Sequence, residues 1–578
     1  MIKKILLSAL FTACVGLCNA DELPDLPKVP VLPIGKSQLE EVLINDSAEK
    51  WGEISELCKQ KALELALAGN ITESTNWLYT HLAALVCMKD GAEMPSELKT
   101  IIFENLPAFF DFYETASEDD SIVNACSVLT SIYKNQPAKT KQLLRTAMAL
   151  SLVYDSPFPA EWPECNMPDK PTQVSLAQEV FLYFSLRADK LAFNLQKLTV
   201  GEQIFVVGIG GPLTELESLH KEGFRPRDIE ETYASLKIDT KRAGRGKAWD
   251  TEKESFTLEN IKTLGGIDSE RVYYSWRVAN ANGVPCLYFS DTIRGKTYSW
   301  LAYFTEKGLW QTDVFRDPLS KSSYGHPLNP QNWKPVLLFD IKHASMREKN
   351  VFDSIVLCRL AKVFFDAGKF PSARDFAQKA IDAYPENWRA YSILVPSMAR
   401  SGAESDELDA AYQKSIEAFS KYPEQSVKML NLYRSNLIAR GRGKEADKMF
   451  FDAMKPMFKL NSGLATSMCG EVLEEMFSRA KTPSEALNIY RGILRLSSKT
   501  PKECFDYIVK PVAEYFWSKK EDRKTAYAVL RSFDRIAKSN KGYVLSNYNR
   551  LKKSFDDQVK AEKEESKNKK KKSKDFYM

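Results

Sequence analysis

Histidine is scarce in this chain, with four in 578 residues. No cysteine or histidine cluster has the spacing of metal ligands, so no zinc site and no other metal or cofactor is expected. Cysteine is present but thin. Of ten cysteines, Cys14 and Cys18 fall in the first twenty residues. The other eight (Cys58, Cys87, Cys126, Cys165, Cys286, Cys358, Cys469 and Cys504) are too scattered for a small disulfide scaffold. Cys87 ends the apolar run Leu82–Val86 and reads as a small buried hydrophobe. Past the first twenty residues no stretch reaches about 18 consecutive apolar residues, so no membrane-spanning helix is expected. A charge of one sign is lacking too. The net +5 has two charges in the first twenty residues and three in the last eighteen, where seven lysines meet four acids. The rest of the chain is neutral, which is no footprint for nucleic acid. The glycines after Gln203–Gly208 do not complete a dinucleotide fingerprint, because Pro212 interrupts the turn and Leu213 takes the place of the third glycine.

What the chain does carry begins with an export signal. Lys3 and Lys4 precede an almost wholly apolar run from Ile5 to Leu17, and Cys18-Asn19-Ala20 offers small residues for cleavage before Asp21. Residues 1–20 are therefore read as a signal peptide, and the mature chain as periplasmic or secreted. A lipid anchor is the rival reading, through Cys14 or Cys18, but Phe11 and Leu17 fit its pattern poorly. Residues 21–37, with Pro24, Pro27, Pro30 and Pro33, read as an extended linker.

Residues 38–200 show helical periodicity, with a helix stop at Gly69-Asn70 and a proline-rich loop from Pro157 to Pro171. Gln203–Gly208 reads as the first strand, opening an α+β domain over residues 201–345. The basic stretch Lys241–Lys247 reads as an exposed, solvated loop. From residue 346 to 560 helical repeats are predicted. Leu360, Ala361, Phe364, Gly368, Phe370, Ala373, Ala377, Ala380 and Pro385 fall at the spacing of a tetratricopeptide repeat of about 34 residues. The small residues let two antiparallel helices approach, and Pro385 breaks the second. Gly402, Ala410, Phe419 and Pro423 continue more loosely, followed by Gly443 with Ala446 and by Ala486–Tyr490. A single repeat cannot bury its own apolar face, so stacking into a solenoid is implied. Residues 561–578 read as a disordered, Lys-rich tail.

Between Thr257 and Arg316 the landmarks come in a recognisable order. Thr257–Ile261 precedes Gly265-Gly266-Ile267-Asp268, and a helix through Tyr273, Trp276 and Val278 leads to Gly283-Val284-Pro285. A strand Tyr298–Phe304 and then Trp310-Gln311-Thr312-Asp313 follow. This order resembles the transglutaminase-like, papain-related α+β domain, over about a tenth of the chain. The resemblance implies a thiol nucleophile at a helix start, a histidine on a strand and a carboxylate that orients it. At the matching positions stand Asp268, Tyr298 and Asp313. Two of the three roles are lost, because tyrosine, with an ordinary pKa of about 10, is a poor proton shuttle at neutral pH. Asp268 is expected to cap its helix, Tyr298, Trp300 and Trp310 to pack in the core, and Asp313 to accept a hydrogen bond from Tyr298. Cys286 with His326 is a remote substitute pair.

The predicted architecture is thus mainly α: a tetratricopeptide-like solenoid with a central α+β transglutaminase-like domain. The principal expectation is a non-catalytic exported protein that binds a protein or peptide through its repeat surface. A hydrolase using Asp268 and Asp313 as a carboxylate pair is the first alternative, and a structural component of the cell envelope the second.

Overall fold

The computed structural model describes residue 23, residues 32–35, residue 43, and residues 46–576 except for 90–92, 118–119, 158–174, 210–211, 244–248, 250–253, 294–295, 319–325, 328–340, 342–344, 421–422, 461 and 541. The predicted signal, most of the linker, nearly all of the Pro157–Pro171 loop, and Gly210-Gly211 lie outside the described residues. The protein is mainly α-helical with one small β-sheet. No helix among the described residues is long and apolar enough to cross a membrane.

The chain divides into two compact units, residues 1–291 with 297–411, and residues 292–296 with 412–578. In the first unit the helices are α1 (Ala48–Leu67), α2 (Ile71–Lys89), α3 (Ser96–Glu104), α4 (Leu106–Thr115), α5 (Ile122–Asn135), α6 (Pro137–Gln142), α7 (Leu144–Val153), α8 (Ala177–Leu186), α9 (Val200–Val207), α10 (Leu213–Leu219), α11 (Asp228–Ser235), α12 (Thr240–Ala243), α13 (Leu258–Leu264) and α14 (Asp268–Ala281). Strands β1 (Cys286–Ile293), β2 (Lys296–Phe304), β3 (Trp310–Val314) and the two-residue β4 (His326–Pro327) follow, and then α15 (Lys349–Asp366), α16 (Phe370–Ala383) and α17 (Trp388–Arg400).

α1 starts because the Ser47 hydroxyl accepts the Lys50 N–H, and it ends before Gly69, where φ is +81°. Trp51 stacks on Phe103 at 5.3 Å. Buried ion pairs tie distant segments of this unit together. The Arg359 guanidinium on α15 donates to Glu114 on α4, which also accepts the Tyr79 hydroxyl from α2. Arg347 donates to both oxygens of Glu202.

The segment expected to be the first strand is helical, and that expectation is corrected. Val200–Val207 forms α9 because Thr199 and Glu202 close a capping box: the Thr199 hydroxyl accepts the Glu202 N–H and the Glu202 carboxylate accepts the Thr199 N–H. Its apolar residues are buried on all sides, so a helix meets the same burial demand as a buried strand.

The repeat-like positions pack α15 against α16. Leu360, Ala361, Phe364, Ala373, Ala377 and Ala380 are buried, and Phe364 stacks on Phe376 at 5.0 Å. α16 packs in turn on α17, and Pro385 stands in the turn between them.

α18 (Ser405–Ala418) crosses the division between the units. The second unit continues with α19 (Pro423–Ala439), α20 (Gly443–Leu460), α21 (Ser462–Arg479), α22 (Pro483–Ser497), a helical run α23 over residues 501–519, α24 (Arg523–Ser539) and α25 (Tyr543–Phe576). Arg434 and Arg479 share Asp447 and Glu475 in one ionic network that links α19, α20 and α21. Two stretches of α23, Cys504–Val509 and Tyr515–Lys519, are wound as π-helix. Pro511 has no N–H to give the Tyr507 carbonyl, and so an ordinary α-helical ladder is broken there. α25 lies against α23 through Phe555 stacked on Trp517 at 4.0 Å, and against α24 through Tyr527 donating to Asp556. It runs on to Phe576, where composition leads one to expect disorder. Glu, Lys and Ala are strong helix formers, and a helix already nucleated by packing propagates into them at little cost.

Candidate functional site

The residues that resemble a transglutaminase-like centre lie on α14 and on the sheet that follows it. α14 is buried along almost its whole length. Two glycines set its start. Gly265 has φ of +88°, and a β-carbon there would stand 2.6 Å from the Lys237 carbonyl oxygen. A β-carbon on Gly266 would stand 2.8 Å from Glu270 Oε2. Gly265 therefore lets residues 237–239 pair with this turn, through Gly266 N–H to Lys237 O and Asp239 N–H to Gly266 O, while Gly266 leaves room for the Glu270 side chain to fold back over the helix start.

Asp268 does not cap α14, and the expected role passes to Glu270. The Glu270 carboxylate accepts the Ile267 N–H at 2.9 Å and is fully buried. Both of its oxygens also accept from Arg242, at 2.7 Å each. Arg242 is thus drawn out of the solvated loop expected for Lys241–Lys247: it also donates to Asp239 and lies over the Trp249 ring at 4.9 Å. Residues 244–248 of that stretch lie outside the described residues. Asp268 stands in the first turn with its side chain 63% exposed, 3.7 Å from the Arg271 guanidinium.

The sheet is antiparallel where its pairing is described, with strand order β3-β2-β1-β4. Trp276 on α14 donates its indole N–H to the Cys286 carbonyl at the start of β1. Trp300 is fully buried on β2 and stacks on Phe289 of β1. Tyr298 lies on β2 and is buried. Trp310 on β3 packs on Phe304 and Phe205 and donates to the Ser345 hydroxyl. Leu301 pairs with Val314 and Tyr303 with Gln311, so Ala302 faces both Thr312 and Asp313. Asp313 therefore sits in a β-bulge, with φ of +64°, a left-handed conformation that aspartate tolerates better than most residues. Its carboxylate, 50% exposed, accepts from Arg316 at 2.6 Å. Arg316 in turn lies over the Trp300 ring at 4.4 Å.

The start of α14 and the end of β3 meet at Tyr233 of α11. Arg271 donates to the Tyr233 hydroxyl and carbonyl and lies over its ring at 4.0 Å. Phe315, also left-handed at φ +63°, stacks on the other side at 3.8 Å. Asp268 and Asp313 thus belong to one neighbourhood, but each is engaged by the arginine three residues after it. Residues missed by sequence reasoning are Glu270, Arg242, Tyr233 and Arg316. The spacing Ile267-x-x-Glu270 is a partial capping signal that points to the first of them.

Cys286 is fully buried, and burial pushes its thiol well above the ordinary cysteine range. The strand register sets His326 opposite Ser290, four residues along β1 from Cys286, which is about 13 Å of strand. The other described cysteines are buried as well. Among the described residues no group of three His, Cys, Asp or Glu side chains is placed to hold a metal ion. No protein-family model matches the chain, and no curated protein matches it.

Proposed function

We propose that this is an exported, non-catalytic binding or scaffolding protein: a degenerate transglutaminase-like domain joined to tetratricopeptide-like helices that hold a protein or peptide. One observation carries the reading. Where the resemblance calls for a thiol nucleophile, the first turn of α14 presents the exposed, ion-paired Asp268, while the nearest thiol in sequence, Cys286, is sealed in β1. A nucleophile that cannot be reached or ionised does no acyl transfer. The sequence of elements, a helix followed by an antiparallel three-stranded meander, agrees with the resemblance, as do the consecutive packed helices after residue 349. Fold alone does not dictate activity, so the argument rests on the side chains.

The carboxylate-pair hydrolase is kept as a second reading, because Asp268 and Asp313 are both half exposed or more. A labelled-amine transfer assay and a peptide-hydrolysis assay on the mature chain separate the two, run beside an Asp268→Cys/Tyr298→His double variant. A silent parent and a variant with even weak transfer activity are expected. Turnover by the parent that Asp268→Asn abolishes would replace the first reading with the second.

A further inference from the structure

α25 changes character along its length. From Tyr543 to Val559 it packs on the second unit: Tyr548 and Phe555 are buried, Val559 is half-buried against the same core, and the Trp517 indole donates to Gln558. From Lys560 to Ser566 seven consecutive residues are exposed. A helix that lies on its unit buries a residue every three or four positions, so this stretch has left the surface. The exposed ion pair of Glu562 with Arg523 marks the departure. The helical backbone nevertheless continues to Phe576, about 20 Å beyond Glu562 at a rise of about 1.5 Å per residue.

Charge divides near the same place. Between Tyr543 and Ser566 five basic residues are matched by five acids. The next eight residues hold six lysines (Lys567, Lys569, Lys570, Lys571, Lys572 and Lys574) and no acid. Asp575 and then Phe576-Tyr577-Met578 follow. Like charges four positions apart on a helix repel, as Lys567 and Lys571, and Lys570 and Lys574, must do. A surface of fixed negative charge reverses that cost. A nucleic-acid groove would call for a basic face on the folded body, and the body is neutral. Here the basic charge is confined to two helical turns and lies beside aromatic and apolar residues, the pairing that suits a bilayer interface. We propose that residues 567–578 dock the protein on an anionic phospholipid bilayer, with the lysines at the headgroups and Phe576, Tyr577 and Met578 entering the interface. The proposal is independent of the degenerate centre, because neither activity nor inactivity at Asp268 moves it.

Co-sedimentation of the full mature chain with vesicles of phosphatidylglycerol or of phosphatidylcholine tests it. Binding to phosphatidylglycerol alone is expected at about 0.1 M salt, and its loss at about 1 M, where the screening length falls from about 10 Å to about 3 Å. Each basic residue beside an anionic surface strengthens binding about fivefold. Replacing Lys569, Lys570, Lys571 and Lys572 by glutamine should therefore weaken it by at least about a hundredfold. The double variant Phe576→Ser/Tyr577→Ser should weaken it as well, which attraction to charge alone would not produce. Both variants lie past the packed part of α25, so folding of the second unit is not at stake. Equal sedimentation with the two lipids, or phosphatidylglycerol binding that survives the four glutamines, would overturn the proposal. Tighter binding of duplex DNA than of the phosphatidylglycerol vesicles would overturn it too, and would assign the lysines to nucleic acid.

Discussion

Glu270 offers a quantitative test of what holds the start of α14. Its carboxylate is fully buried and does two jobs, bonding both terminal nitrogens of Arg242 and accepting the Ile267 N–H. Arg242→Met leaves that anion buried with the backbone bond alone. Breaking one side of a buried ion pair costs about 3–5 kcal/mol. Glu270→Leu leaves Arg242 with Asp239 and a partly solvated guanidinium, 16% exposed, so its cost belongs at about 2–3 kcal/mol. The double variant Glu270→Leu/Arg242→Met removes both charges and the desolvation they suffered. It should lie within about 1–2 kcal/mol of the unaltered protein, with part of that deficit from the lost cap. The expected coupling energy is therefore at least about 2 kcal/mol. Urea unfolding is the suitable assay, because guanidinium salt screens the pair under study. Two single variants that each cost less than about 1 kcal/mol and add independently would refute the claim that this pair sets the helix start.

Two further predictions rest on other parts of the fold. Asp111 on α4 is buried beside Arg145, and burial outweighs that pair, raising the carboxyl from its ordinary 3.8 to about 6. Between those values the folded state holds a proton that the unfolded state releases, so stability should fall as pH rises from about 4 to about 6, by up to about 3 kcal/mol; Asp111→Asn should flatten that stretch of the stability-versus-pH curve, and an unchanged slope would remove Asp111 as its cause. In the second unit, a β-carbon on Gly470 of α21 would stand 2.5 Å from the Tyr507 carbonyl oxygen in the π-helical stretch of α23. Gly470→Ala should force those helices apart at a cost of about 1–3 kcal/mol, read as a lower urea midpoint with Trp517 fluorescence as a local probe, and a neutral effect would show that the close approach is dispensable.

Much of the helical organisation is legible in the chain because apolar spacing and helix stops are local signals. Gly69 ends α1, and Leu360, Phe364, Ala373 and Ala377 mark the buried faces of α15 and α16. Where reading fails, two local signals compete. Ile204–Val207 has the composition of a strand, yet the Thr199-x-x-Glu202 box just ahead of it starts a helix. Asp268 has the residue type of a cap, but a carboxylate three residues into the turn reaches the free N–H better and brings Arg242 with it. Pairings over long separations carry no local mark: Glu270 with Arg242, Glu114 with Arg359, and Phe315 on Tyr233 join residues whose spacing along the chain is arbitrary.

By itself, then, the sequence determines which residues stand at the positions where the proposed resemblance calls for a thiol and an imidazole, since Asp268 and Tyr298 are facts of the chain. It determines most helix positions too, because hydrogen bonding within a helix joins residues four apart. Only the tertiary structure decides which charges are compensated. Glu270 and Glu202 receive arginines, the exposed Asp268 and Asp313 keep to their own neighbours, and Arg277 is buried with none of the described carboxylates paired to it. The reason is physical: the worth of a charge is set by the solvent and partners around it, and those are assembled by packing across the whole unit.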